Sequence, residues 1–430
     1  MNVYRDTLEN GLRLVTVELP HLHSASVAAY VRVGSRFEEP RDNGLSHFLE
    51  HMLFRGTRRL PDAYQLNYAV EELGGTLYAE TRRDCSLYQI GVHPEVLRPA
   101  MGLLGEILLE PAFSNIDTER RILLEELRED IDERGGDANL TDLVYERLFP
   151  EHPLGRKITG PMHNVERFDE ADLWRHFASF YGAQNLILCT AGAVHHAEVM
   201  GVAADAFRAL PRGRQSVVVP PPPAQGPRHV HGEGDGGSQV TMTVAFRAPG
   251  CLDPDDTALA VLSRILDDGM STRLYQRVAH ELGLAYSVSG GVDSLGDVSV
   301  YDVESTAVQA SIPRLLREIL GLLTKLREES VTAAEMEKVR RRYRWDLLAA
   351  KDGPLAMSNW YGPVELYNPA PSPQECLARV EAVRAEDVQR VARRVFVPEG
   401  LVVGTLGHLS ARLRREVREI IDAWAAKVAR

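Results

Sequence analysis

NGLSHFLEHMLFRGT, residues 43–57, sets two histidines and a glutamate within five positions, His47, Glu50 and His51, among otherwise apolar neighbours. The apolar spacing is helical and stops at Gly56. Positions four apart on a helix share a face, so His47 and His51 aim two imidazoles at one point, with Glu50 beside them.

Working outward, SASVAAYVRVG (24–34) suits a half-buried strand, and PDAYQLNYAVEEL suits a helix that starts at Pro61-Asp62 and ends at Gly74-Gly75. Strand-like TLYAE and CSLYQIGV follow. The sequence predicts further helices around PEVLRPAMGLLGEILL, around IDTERRILLEELREDIDER with an apolar stripe of Ile122, Leu123 and Leu127, and over 171–180, then a strand in NLILCTAGAV. From Pro211 to Gly237 the chain reads PRGRQSVVVPPPPAQGPRHVHGEGDGG, which no helix or central strand tolerates. Beyond it the signals begin again: strand QVTMTVAFRAPG, helices DPDDTALAVLSRILDD and TRLYQRVAHELG, strands AYSVSGGVD and SVYDVEST, two long helices, and strand GLVVGTLG. The fold class is therefore α+β, with two tandem copies of one domain, 1–212 and 237–430, joined by a linker at 213–236.

The bulk composition agrees with a globular chain of this kind. Its 430 residues and 44% hydrophobic content suffice for two cores. A net charge of −12 argues against nucleic acid or an anionic membrane as partner. Cys85, Cys189, Cys251 and Cys376 are widely spaced and signal neither a disulfide framework nor a thiolate metal site. The first residues hold no basic segment followed by an apolar run, and nowhere do eighteen apolar residues run together, so a cytoplasmic protein without a membrane span is expected.

Two imidazoles suit zinc, and a hydrolytic zinc site needs three protein ligands, one open position, and a carboxylate that takes a proton from water. H-x-x-E-H, the inverted form of H-E-x-x-H, offers two ligands and that base in one helical turn. His195-His196, His229 and His231 stand in loop-like or linker contexts and are read as surface residues.

GLSHFLEHMLFRGT resembles the zinc helix of the pitrilysin family, which includes insulin-degrading enzyme and the mitochondrial processing peptidase. The resemblance implies a third ligand from the second glutamate of an E-x6-E pattern about seventy-five residues on. TERRILLEEL places Glu119 and Glu126 in that spacing, so Glu126 is the implied ligand and Glu119 the residue supporting it from the same side of a helix. Its neighbour Glu125 is expected on a solvated face. Weaker markers run through the chain: LENGLRL, VGSRFEEP, LGGTLYAETRRD, HPLGRKITG, FYGAQNLILCTAGAV and STRLYQRVAHELGLAYSV. The family implies α/β-roll domains, each an antiparallel-rich sheet packed with helices, which form half of a clamshell around peptides or unfolded segments, with one Zn2+ per chain in the first domain and substrate binding and dimerisation in the second.

Two positions depart from the pattern. Active relatives of this size usually carry an arginine seven residues before a tyrosine, and the pair holds substrate carbonyls. Here Tyr286 stands, but the arginine position is Ala279, which offers no donor where guanidinium offers five. Arg277 points elsewhere on a regular helix, and Arg273 reads as structural. Tyr286 is either a catalytic residue or a remnant packed in the core. In TLYAE, Tyr78 replaces a common asparagine, and Leu77, Tyr78 and Ala79 form the edge to which a substrate strand would add. The resemblance thus implies the zinc-bearing subunit of a heterodimeric endopeptidase whose partner supplies the arginine and tyrosine. A self-sufficient homodimer and a non-catalytic subunit are the alternatives.

Overall fold

The computed structural model describes residues 1–132, 134–234 and 237–429, so Glu133 of the expected helix IDTERRILLEELREDIDER, Asp235 and Gly236 of the expected linker and Arg430 of the expected second domain lie outside the described residues. Two compact units emerge. In the first, six strands, β1 (Asn2–Thr7), β2 (Arg13–Glu18), β3 (Ala25–Val31), β4 (Thr76–Thr81), β5 (Ser86–Val92) and β6 (Leu186–Gly192), lie in the order β1-β2-β6-β3-β5-β4. In the second, β7 (Arg228–Gly232), β8 (Gln239–Pro249), β9 (Val288–Ser294), β10 (Val298–Val308) and β11 (Leu401–Leu406) lie in the order β7-β11-β8-β10-β9.

Removing β1 makes the two sheets topologically the same. β2 and β6 pair in parallel, as do β7 and β11, and every later neighbour is antiparallel in both sheets. The repeat visible as a pattern in the sequence is thus a repeat of strand order and sense.

Each sheet alternates apolar residues onto both faces, so both faces need cover. In the first unit, Val27, Ala29 and Val31 of β3 meet α1 (Leu45–Leu53), α2 (Ala63–Glu72), α3 (Leu97–Leu109) and α4 (Ile116–Glu129) in one core. Ala28 and Tyr30 on the other face meet Met357 and Tyr361 of the helix Pro354–Glu365. In the second unit, Met242, Val244 and Phe246 pack with the helices Asp256–Leu266, Ile312–Glu328, Ala385–Val395 and Ala411–Val428. The opposite face is covered by α5 (Leu140–Leu148) through Leu140, Val144 and Leu148, an i, i+4, i+8 stripe.

The units are therefore not the contiguous stretches 1–212 and 237–430. Residues 128–155 belong to the second unit and residues 346–371 to the first. Glycines make the exchanged helices fit: a Cβ on Gly362 would run into the Tyr30 ring, and one on Gly404 into Val144. The expected linker also holds β7, which survives among prolines and glycines because it is an edge strand with a single neighbour, β11. His229 and His231 sit half-buried on it, both against the Thr405 hydroxyl, not on a free surface. His196 likewise opens the helix His196–Ala206, stacks on Tyr4 and bonds Asp6 and Thr16. The helices at 140–148, 354–365, 373–382, 385–395 and 411–428 carry no mark in the sequence reading. Cys85 and Cys189 are buried, and none of the four cysteines, all among the described residues, is in a disulfide. Among the described residues, no helix is long and apolar enough to cross a membrane.

Candidate metal centre

α1 begins where Gly44 takes a left-handed conformation that any Cβ would strain, and its first turn lacks an ordinary capping residue. The cap comes from Glu38, six residues earlier. Its buried carboxylate accepts from the Gly44 amide (2.9 Å), the Ser46 amide (2.6 Å) and the Asn43 side chain (3.0 Å). Burial raises the Glu38 carboxyl even against these three donors. On the far side of the first turn, Ser46 Oγ meets Nε2 of the buried His176 at 3.1 Å.

The helix so anchored buries Leu45, Phe48, Leu49 and Met52 and turns His47, Glu50 and His51 away from the core. α4 presents Glu119, Leu123, Glu126 and Leu127 on one side; Ile122, expected in that stripe, is exposed instead. One ligand atom each from His47, His51 and Glu126 can be chosen so that all lie within 4.8 Å of one another, the one such group among the described residues. His47 Nε2 is 3.6 Å from Glu126 Oε1, and His51 Nε2 is 3.7 Å from Glu126 Oε2. Glu125 is exposed.

Glu119 plays a different part from Glu126. It is buried, and its Oε1 accepts from His51 Nδ1 at 2.8 Å while Arg55 bonds its other oxygen. A proton held on Nδ1 leaves the Nε2 lone pair facing Glu126, the arrangement by which carboxylates orient metal-binding imidazoles. Burial works to lower His51, but the bond to Glu119 and the surrounding carboxylates raise it overall. Burial, then neighbouring His51, pushes His47 down to about 3, so its imidazole is neutral near pH 7. Burial works to raise Glu119, and His51 and Arg55 outweigh it.

Two imidazoles and a carboxylate converging from two helices, with one imidazole oriented by a second carboxylate, fit a zinc ion with room for a further ligand. Glu50 lies on the same face. Burial raises its carboxyl, while the Thr81 hydroxyl of β4 donates to Oε2 at 2.7 Å and pulls the other way. That bond ties Glu50 to an edge strand of the sheet. Leu77 and Ala79 pack toward the core that holds α1, whereas Tyr78 faces the other side and is 49% exposed.

In the second unit, the predicted regular helix TRLYQRVAHELG is α-helical only over Arg273–Tyr275 and continues as a π-helix over Gln276–Glu281. On this π-helical turn Arg277 is placed by its ion pairs, not by the about 100° step of an α-helix. Arg277 bonds Glu318 and Glu281, and Arg273 bonds Glu335 through two donors. Tyr286 is 97% exposed, which removes the reading of a remnant packed in the core. Glu38 and Thr81 went unnoticed in the sequence, although VGSRFEEP and TLYAET contain them.

Residues 13–162 match the family described as insulinase (peptidase family M16), and residues 167–343 match the one described as peptidase M16 inactive domain. An uncharacterized zinc protease of Mycobacterium tuberculosis is 31% identical over 91% of this chain and 90% of its own length. A probable mitochondrial-processing peptidase subunit beta of Arabidopsis thaliana is 30% identical over 93% of this chain and 77% of its own. Among solved structures, a protease from Helicobacter pylori superimposes with a TM-score of 0.88 at 22% identity over 95% of this chain and 99% of that one. An M16 inactive domain from Pseudomonas fluorescens gives the same score at 19% identity over 96% and 99%.

Proposed function

Because the chain belongs to the insulinase (M16) peptidase family, we propose that it is a zinc-dependent endopeptidase acting on peptides or unfolded segments. The observation that carries this is the convergence of His47, His51 and Glu126, which would hold one zinc ion per chain. Bound there, zinc would supply Lewis-acid polarisation of water and of the scissile carbonyl. Glu50 Oε takes the proton from the attacking water and delivers it to the leaving amine, and its raised carboxyl suits a group that must both accept and release. Glu119 keeps the His51 ring in register, and Thr81 keeps Glu50 against β4. The edge strand β4 offers backbone groups to an extended peptide around Leu77, Tyr78 and Ala79.

The chain acts, in this reading, as the zinc-bearing subunit of a heterodimer with a second family chain. Ala279 leaves the usual arginine position without a donor, and both nearby arginines are held in ion pairs. The exposed Tyr286 is then free for substrate or partner but lacks its companion.

The test is zinc content together with cleavage of an unstructured peptide library. Glu50→Gln is expected to keep one zinc per chain while the rate falls about 10²–10⁴-fold, whether the chain is assayed alone or with its partner. Unchanged turnover in that variant refutes the mechanism, and absence of zinc refutes the site.

A further inference from the structure

The first unit carries a cleft of about 790 Å³ on the face of its sheet opposite α1. Its floor is Gln89 and Gly91 of β5, one wall is Tyr78 of β4, and the other is Leu355 and Asn359 of the helix Pro354–Glu365. The volume is enough for several side chains.

The strand register says what reaches it. Successive residues of a strand point to opposite faces. On β4, Leu77, Ala79 and Thr81 face the side of α1, where Thr81 holds Glu50, while Thr76, Tyr78 and Glu80 line the cleft. β4 is an edge strand, so a peptide laid along its open side continues this alternation. Every second side chain then turns to the cleft and the others to the metal side.

The lining chooses among side chains. Its fixed charges cancel: Arg82 donates to both oxygens of Glu80, at 2.8 and 2.9 Å, and the Tyr78 hydroxyl joins them at 3.3 Å. The large apolar groups stand open, Tyr78 at 49% and Leu355 at 46% exposure. Gly91 deepens the floor between them, since a Cβ there would meet Leu355 Cδ1 at 3.7 Å.

We propose that this cleft binds large apolar or aromatic side chains at alternate positions of an extended peptide paired to β4, and so sets the specificity of the metal site on the opposite face. The proposal rests on the peptidase reading above, and its test separates the two. Labelled ten-residue peptides, identical except for Phe or Ala at one position in turn, are titrated against the full chain carrying Glu50→Gln. Phe is expected to tighten binding about tenfold or more at one position, or at positions two residues apart, and not at their immediate neighbours. Adding Gly91→Val, which fills the floor, or Leu355→Ser, which strips the exposed wall, is expected to cancel most of that gain. No gain at any position, or a gain that both substitutions leave intact, overturns the proposal. Cleavage by the unsubstituted chain is read separately: cleavage without the Phe gain refutes the cleft and keeps the peptidase. The Phe gain without cleavage, alone or with a partner chain, keeps the cleft as a peptide site and refutes the peptidase.

Discussion

Replacing Glu38 by alanine should damage the metal centre from a distance. Glu38 is 3% exposed, and its carboxylate serves three donors, two of them backbone amides at the start of α1. Without it the Gly44 and Ser46 amides are left buried and unpaired, at about 1–3 kcal/mol each, while removing a desolvated carboxylate returns part of that sum. Loss of the negative charge at the helix N-terminus adds roughly 0.5–1 kcal/mol. The net expectation is about 2–5 kcal/mol, felt in the turn that carries His47. Glu38→Gln keeps one acceptor and should lose about half as much. Two assays read it: amide hydrogen exchange over residues 43–57, where protection should fall 30-fold or more, and zinc affinity by competition with a chelating dye, which should weaken at least tenfold. Protection and zinc affinity both unchanged in Glu38→Ala would refute the claim that this carboxylate holds the helix.

Gly362→Ala should destabilise the first unit by about 1–3 kcal/mol in urea titration, because its new methyl group collides with the fully buried Tyr30 ring; Gly321→Ala, which meets nothing, is the control. His176 gives a pH dependence with a definite sign. Burial, then Arg175, lowers it to about 3 in the folded protein against 6.5 unfolded, so the unfolded chain binds the extra proton between those values. Stability is complete above pH 6.5 and falls as pH drops, by about 2 kcal/mol at pH 5, and the zinc-free His176→Phe variant should show a shallower slope than the unsubstituted chain between pH 7 and 5. Ala279→Arg should raise peptide cleavage by the chain alone, and equal rates would show that the missing donor is not what limits it.

The local reading reached far at the zinc helix and stopped at its supports. The spacing of His47, Glu50 and His51 within the apolar period of α1 determines their common face wherever that helix packs. The same holds for Glu119 and Glu126, seven apart on α4. Strand order could not be read so directly, yet the recurrence of strand and helix signals on either side of the proline run was enough to announce two copies of one sheet. Where turn chemistry is unusual, the reading failed: β7 lies among residues that discourage strands, and π-helical winding at Gln276–Glu281 has no periodic signature of its own.

Sequence by itself therefore determined that the two imidazoles and the candidate base share a face, through the period of α1, and the repeated α+β pattern, through the recurrence of its signals; the third group, Glu126, followed from the family resemblance. Tertiary structure alone decided that Glu119 supports the site by bonding His51 Nδ1, that Glu38 caps α1, and that Tyr78 faces a cleft while Thr81 holds Glu50. It alone decided, too, that α5 and the helix Pro354–Glu365 each complete the sheet built from the other half of the chain. An apolar stripe states that a face must be buried but not against which surface; that choice is made by complementary shape, here by a glycine under Val144 and a glycine against Tyr30.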